Sequence, residues 1–200
     1  LSYLAKDPLP GEGGKQITST DPASQYNEET GLYENWSANL DNSGYVRYED
    51  GWRVIADLEG PGYMTRFWIP TLWHGTMQLF IDGELIYEGS TADFIWGSCF
   101  SEYSELSFQA NYHDTEQFGP GYLGGIDLFV PITYNESLKL RLDVNEGNAM
   151  YYNLSYYELE DGASVESFTW PMSEETKAIL KAANDILLNE TAPVGDTTFA

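Results

Sequence analysis

The chain has 200 residues with 32 acidic and 9 basic side chains, a formal net charge of −23. A balance this acidic repels phosphate backbones and anionic lipid, and it sets nucleic acid aside as a partner. There is no run of about 18 apolar residues to span a bilayer as a helix. The single cysteine, Cys99, permits neither an internal disulfide nor a thiol-rich metal site.

Residues 1–44 are rich in Gly, Pro, Ser, Asp and Asn. Gly11-Glu-Gly-Gly14 and Asp21-Pro-Ala-Ser24 are turn chemistry. Leu9, Tyr26, Tyr33 and Trp36 offer anchors, so the segment is expected to form an ordered N-terminal arm and loop. From 45 to 160 the pattern is β. Trp52–Leu58 reads as a strand with imperfect alternation, Gly60-Pro61-Gly62 breaks it, and Tyr63–Ile69 follows as a β-branched and aromatic strand ended by Pro70. Met64, Arg66 and Trp68 are expected to share one face of that strand. Thr76–Ile81 places Met77, Leu79 and Ile81 on one side. Asp82-Gly83 then turns the chain into Leu85–Tyr87 as a hairpin.

Residues 89–123 show little period, and Gly124–Tyr134 reads as one strand with Pro131 marking an edge or bulge. Ser137–Val144 alternates cleanly, with Leu138, Leu140, Leu142 and Val144 inward and Lys139, Arg141 and Asp143 outward. Asn145-Glu-Gly147 turns into a Tyr-rich strand over Met150–Leu159. Short strands with turn signals every 8–12 residues indicate an all-β, jelly-roll β-sandwich. The period changes at Ser173, which can cap a helix over 173–188 whose stripe is Ile179, Leu180, Ala183, Ile186 and Leu187. The expected organisation is therefore an arm at 1–44, a sandwich at 45–160 and a linker with one helix at 161–200, leading to a second domain.

Carboxylates are the abundant reactive groups. No Gly-x-Ser-x-Gly, phosphate-binding glycine loop, dinucleotide fingerprint, His-Glu-x-x-His or Cys-x-x-Cys occurs, and His74 and His113 lack zinc-pair spacing. Carboxylates serve glycoside hydrolysis, which needs two of them flanking the bond, or cation binding. Asp93, in Thr-Ala-Asp-Phe-Ile-Trp, is the one candidate catalyst, since Phe94 and Trp96 would lower local polarity and raise its pKa. A turn-fixing carboxylate is the preferred reading of the same residue. Trp36, Asn39, Asp41 and Asn42 form a second cluster, suited to stacking on and hydrogen-bonding a sugar or to an Asx-turn loop. Calcium at Asp41-Asn-Ser-Gly44 is a weak reading, because the ligand period of a calcium loop is missing; no other cofactor is expected. Arg66 beside aromatics reads as stacked and paired with an acid before it reads as a substrate arginine. Trp96 is a stacking candidate.

The segment Asp57–Pro70, with its Gly-Pro-Gly-x-x-x-Arg-x-Trp pattern, resembles the family long called domain of unknown function 2961 and tied to glycoside hydrolase family 172. Phe80-Ile-Asp-Gly-Glu84, Ala92-Asp-Phe94, Trp36-Ser-Ala-Asn-Leu-Asp41, Phe129–Leu140 and Tyr151–Tyr157 are similar to further family segments, and the match spans roughly 17–160. The resemblance implies two jelly rolls per chain and action on α-linked fructofuranosyl or arabinofuranosyl sugars. It implies ring-like homo-oligomers, and retaining chemistry by two glutamates of the second jelly roll around a Thr-Glu-Asp-Tyr-type motif. That motif is absent from this sequence, so no catalytic glutamate is carried over. The family positions matched are Asn39, Asp41, Arg66, Trp68 and Asp93. Leu40 departs from the family's more polar loop.

The expectation is the N-terminal jelly roll of a secreted or periplasmic glycosidase, inactive alone, with carbohydrate and a second domain or subunit as partners. The alternatives are a carbohydrate-binding module and a structural assembly domain.

Overall fold

The computed structural model describes residues 9–21, 23–35, 41, 44–70, 75–111, 123–143 and 151–189. In chain order the strands are β1 (Gly13–Thr18), β2 (Gln25–Asn27), β3 (Leu32–Glu34), β4 (Arg47–Glu49), β5 (Trp52–Glu59), β6 (Gly62–Ile69), β7 (Thr76–Ile81) and β8 (Glu84–Ser90), then β9 (Ser107–Asn111), β10 (Leu123–Leu128), β11 (Ile132–Tyr134), β12 (Ser137–Asp143) and β13 (Asn153–Glu158). Two helices, α1 (Thr91–Ile95) and α2 (Glu174–Asn189), complete the description.

Two antiparallel sheets face each other as a jelly-roll β-sandwich. The first runs β1-β13-β6-β10-β9, with β11 also on β6; the second runs β4-β5-β12-β7-β8. The chain crosses from sheet to sheet at β5–β6, β6–β7, β8–β9, β11–β12 and β12–β13, so β12 lies between β5 and β7, far from either in sequence. Alternation places its Leu138, Leu140 and Leu142 in the core and leaves Lys139 and Arg141 on the outer face. Met77, Leu79 and Ile81 of β7 join the same cluster, against Phe67, Ile126, Leu128 and Leu154 of the first sheet.

Two bulges set which side chains leave the core. On β6, Arg66 pairs with Ser155 but Met64 pairs with Tyr156, so Thr65 has no opposite number on β13. The extra residue reverses the alternation. Met64 is buried in the core while Arg66 and Trp68 face outward, which corrects the expectation that all three share a face. On β5, Ala56 pairs with Leu140 and Val54 with Arg141, skipping Ile55. That bulge is the source of the imperfect alternation in Trp52–Leu58.

The Gly60-Pro61-Gly62 turn carries the chain between sheets beneath Tyr134. A Cβ at Gly62 would lie 2.5 Å from the Tyr134 hydroxyl and 2.7 Å from the Tyr157 carbonyl. At the β7–β8 hairpin Asp82 takes φ +50°, a left-handed conformation that Asp tolerates in such turns. Its Oδ1 accepts the backbone N–H groups of Asn135, Glu136 and Ser137 at 3.1, 2.6 and 2.9 Å. Its Oδ2 accepts from the Ser167 hydroxyl.

Other expectations change. Gly13–Thr18, expected within an arm, is a strand paired with β13 along its whole length. Leu9, Tyr26 and Tyr33 are exposed rather than anchoring; the two tyrosines meet edge to face across the β2–β3 hairpin at 5.3 Å. Gly124–Tyr134 is two strands, β10 and β11, interrupted at Phe129–Pro131. The featureless 89–123 stretch holds α1 and β9, and it buries Phe94, Ile95, Phe100, Tyr103 and Leu106.

Ser173 caps α2, its Oγ accepting from Thr176 N at 3.0 Å. The helix rests on Leu180 and Asn184, whose Oδ1 accepts from Glu105 N at 2.8 Å. Ile179 and Ile186 of the expected stripe are 62% and 60% exposed, and Leu187 is exposed too. Asn184, not an apolar residue, occupies the buried position, so the inward face is rotated from the one hydrophobicity suggests. Among the described residues no helix is long and apolar enough to cross a membrane.

Candidate functional site

The bulge at Thr65 presents Arg66 and Trp68 on the outer face of the first sheet. Register then assembles their surroundings: Asp127 of β10 lies opposite Trp68 and also opposite Phe108 of β9. Arg66 Nε donates to Asp127 Oδ1 at 2.7 Å. The guanidinium lies 5.8 Å from the ring centroids of both Trp68 and Phe129, and Phe129 stacks on Phe108 at 5.8 Å. The Trp68 indole reaches over Gly125, where a Cβ would fall on its ring nitrogen. The arginine is thus stacked and acid-paired, an arrangement that fixes a planar cation against aromatic faces.

Asp93 sits in the first turn of α1, where Ser90 Oγ accepts from its N–H. Its Oδ1 accepts from Ser98 N at 2.8 Å and its Oδ2 from Ser98 Oγ at 2.9 Å, so the carboxylate closes the 93–98 loop. The expected aromatic enclosure does not form. Phe94 points into the core against Tyr87 and Phe100, at 4.6 and 5.3 Å, while Trp96 is 40% exposed. Burial pushes the half-buried Cys99 thiol up from its ordinary range, and burial followed by its contact with Cys99 pushes the Tyr87 hydroxyl up as well.

Between the segment after α1 and β9 lies a cavity of about 410 Å³ lined by Trp96, Ser101, Ser104, Ser107, Phe108 and Gln109. Ser107 Oγ is already committed to the Ile95 carbonyl at 2.6 Å. The Gln109 side-chain nitrogen is buried with no hydrogen-bond partner among the described residues. Phe108 both lines this cavity and stacks on Phe129, so Trp96 is joined to the Arg66–Trp68 patch through one ring.

Of the residues singled out from sequence, Arg66, Trp68 and Trp96 therefore belong to one connected surface, and Asp93 is a loop-closing group next to it. Asp41 is an exposed turn residue. Trp36, Asn39 and Asn42 lie outside the described residues, as do His74 and His113, so the loop cluster around Asp41 is not placed. Asp127, Phe108, Phe129 and Gln109 escaped sequence reasoning because strand register, not local pattern, brings them in. The one available signal was the position of Phe129 at the head of a family-like segment. Among the described residues no three of His, Cys, Asp and Glu cluster as a metal site would require.

A model of the family described as the GH172 first beta-sandwich domain matches residues 10–176. A search of curated proteins found no match. Among solved structures, the catalytic domain of GH87 alpha-1,3-glucanase D1069A in complex with tetrasaccharides is similar over 78% of this chain and 30% of that one, at 11% identity and a TM-score of 0.28. The chain thus spans under a third of that protein's length, and the score is too low to bear on function.

Proposed function

The chain belongs to the family of the GH172 first β-sandwich domain, and from that premise we propose that it is the non-catalytic sandwich of a secreted or periplasmic glycoside hydrolase acting on α-furanosidic carbohydrate, fructofuranosyl or arabinofuranosyl. Hydrolysis of a glycosidic bond needs one carboxyl to protonate the leaving oxygen and another to attack or to activate water. The observation that carries the reading is that the inward and site-adjacent acids have structural duties. Asp93 closes its loop through Ser98, Asp127 is paired with Arg66 and Asp82 holds the 135–137 turn. The catalytic glutamates belong, in this reading, to a second domain, and the exposed Ile179 and Ile186 of α2 suit contact with that domain or with another subunit.

The test is hydrolysis of an aryl α-arabinofuranoside and an aryl α-fructofuranoside. The 200-residue chain is expected to leave both intact, and turnover by it would overturn the assignment. A second reading, a carbohydrate-binding module with no hydrolase attached, is favoured by the Trp96 cavity alone. It gains if the gene continues into an unrelated domain, and it loses if a second β-sandwich with paired glutamates follows.

A further inference from the structure

We infer that the cavity between Trp96 and β9 is a binding subsite for a neutral sugar unit; this rests on the carbohydrate reading above. A cavity of about 410 Å³ lies within the roughly 300–1,000 Å³ typical of small-ligand sites. Its walls combine two aromatic rings, Trp96 and Phe108, with three serines and one primary amide. Aromatic faces accept the C–H surface of a sugar ring, and hydroxyls and amides match its rim of hydroxyl groups.

The amide is the informative member. A buried N–H group without a partner is costly, and native proteins leave few of them. The Gln109 nitrogen is such a group; it is closed to solvent, so a ligand hydroxyl would satisfy it only once the amide turns toward the cavity. Ser107 is spoken for by Ile95, which leaves Ser101 and Ser104, both exposed, as the adaptable contacts.

Charge decides against an anionic ligand. The adjoining cation, Arg66, already carries Asp127 at 2.7 Å, and the chain's net charge of −23 repels further negative charge. Trp96 is also dispensable for the fold: its backbone N–H closes α1 on the Ala92 carbonyl, but its side chain is 40% exposed. It can therefore be removed without emptying the core.

Titration of the full 200-residue chain, followed by tryptophan fluorescence and calorimetry, tests this with two probes: an α-1,5-linked arabinofuranotriose and the pyranose trisaccharide nigerotriose. We expect saturable binding of the furanose probe, weakened at least about tenfold by Trp96→Ala and by about threefold to tenfold by Gln109→Leu, with melting temperatures unchanged. Binding of nigerotriose alone, with the same dependence on Trp96 and Gln109, upholds the subsite and overturns the furanosidic reading. Binding that neither substitution weakens overturns the subsite and leaves the carbohydrate reading standing. No binding of either sugar also overturns the subsite, while the hydrolysis test decides the reading of the whole protein independently.

Discussion

At the scale of single residues, Asp93, Asp127 and Asp82 are each spent on structure. Asp82 shows the physics most clearly. Burial alone would push its carboxyl up, but the Ser167 hydroxyl and three backbone N–H groups outweigh that and hold it below the usual carboxylate range. A carboxyl with a depressed folded pKa adds stability that is fully present above its unfolded value, about 3.9, and lost as pH falls through the folded one. Asp82→Asn keeps the tolerance for positive φ and one acceptor oxygen, so it is expected to cost about 1 kcal/mol. Asp82→Ala strands three backbone donors and is expected to cost about 2–4 kcal/mol. Urea unfolding at pH 7 measures both, and the gap between wild type and Asp82→Asn should shrink at pH 3. A gap that widens there would refute the assignment. Arg66 makes a second case. Arg66→Lys keeps the charge but not the planar stacking against Trp68 and Phe129, so it should destabilise by about 1 kcal/mol; a neutral result would show that the rings contribute nothing.

At the scale of elements, the family-like Gly-Pro-Gly turn is framework. Gly62→Ala would drive a methyl into the Tyr134 hydroxyl and the Tyr157 carbonyl, and the second of these is backbone and cannot rotate away. A loss of about 3 kcal/mol or more, or failure to fold, is expected from chemical denaturation. Tolerance of the substitution would mean that β6 and β13 slide more easily than their pairing implies. Helix α2 shows the converse, a pattern that packing overrides. Its binding to the sandwich uses Leu180 and the hydrogen bond from Glu105 to Asn184, while Ile179 and Ile186 stay outside. Ile179→Lys with Ile186→Lys should therefore move stability by no more than about 0.5 kcal/mol. In the two-domain protein proposed above, the same pair of substitutions should change sedimentation if that stripe meets another domain or subunit.

At the scale of the whole molecule, charge is the dominant field. Among the described residues most of the few bases form ion pairs, and three of them meet at one acid. On the outer face of the second sheet Glu49 receives Lys139 at 2.9 Å, Arg141 at 2.8 Å and Arg47 at 2.7 Å. Lys139 and Arg47 hold the Glu49 carboxyl down to about 2, so this network persists through mild acid. The remaining acids repel one another across the surface. Raising salt from about 0.02 to 0.5 M shortens the screening length severalfold and is expected to raise the melting temperature by several degrees. A fall in melting temperature would show that the paired network outweighs the net repulsion.

Strands β5 to β8, β12 and β13, the Asp-Gly hairpin, the core face of β12 and the capped start of α2 were legible in the sequence. Each is set by a local rule: period-2 alternation, a turn dipeptide, or a capping serine before a helical stripe. The outward turn of Arg66 and Trp68 was not, because one unpaired residue at Thr65 reverses a face and nothing local marks it. Nor was the grouping of Arg66 with Asp127, Phe129 and Phe108, which depends on β10 pairing with both β6 and β9 at one register. By itself the sequence determined a β-sandwich, its likeness to a glycosidase family and an acidic, aromatic-rich composition. Only the tertiary structure decided which acids are already engaged and which aromatics share a surface, because hydrogen-bond satisfaction and strand register are properties of residues far apart in the chain.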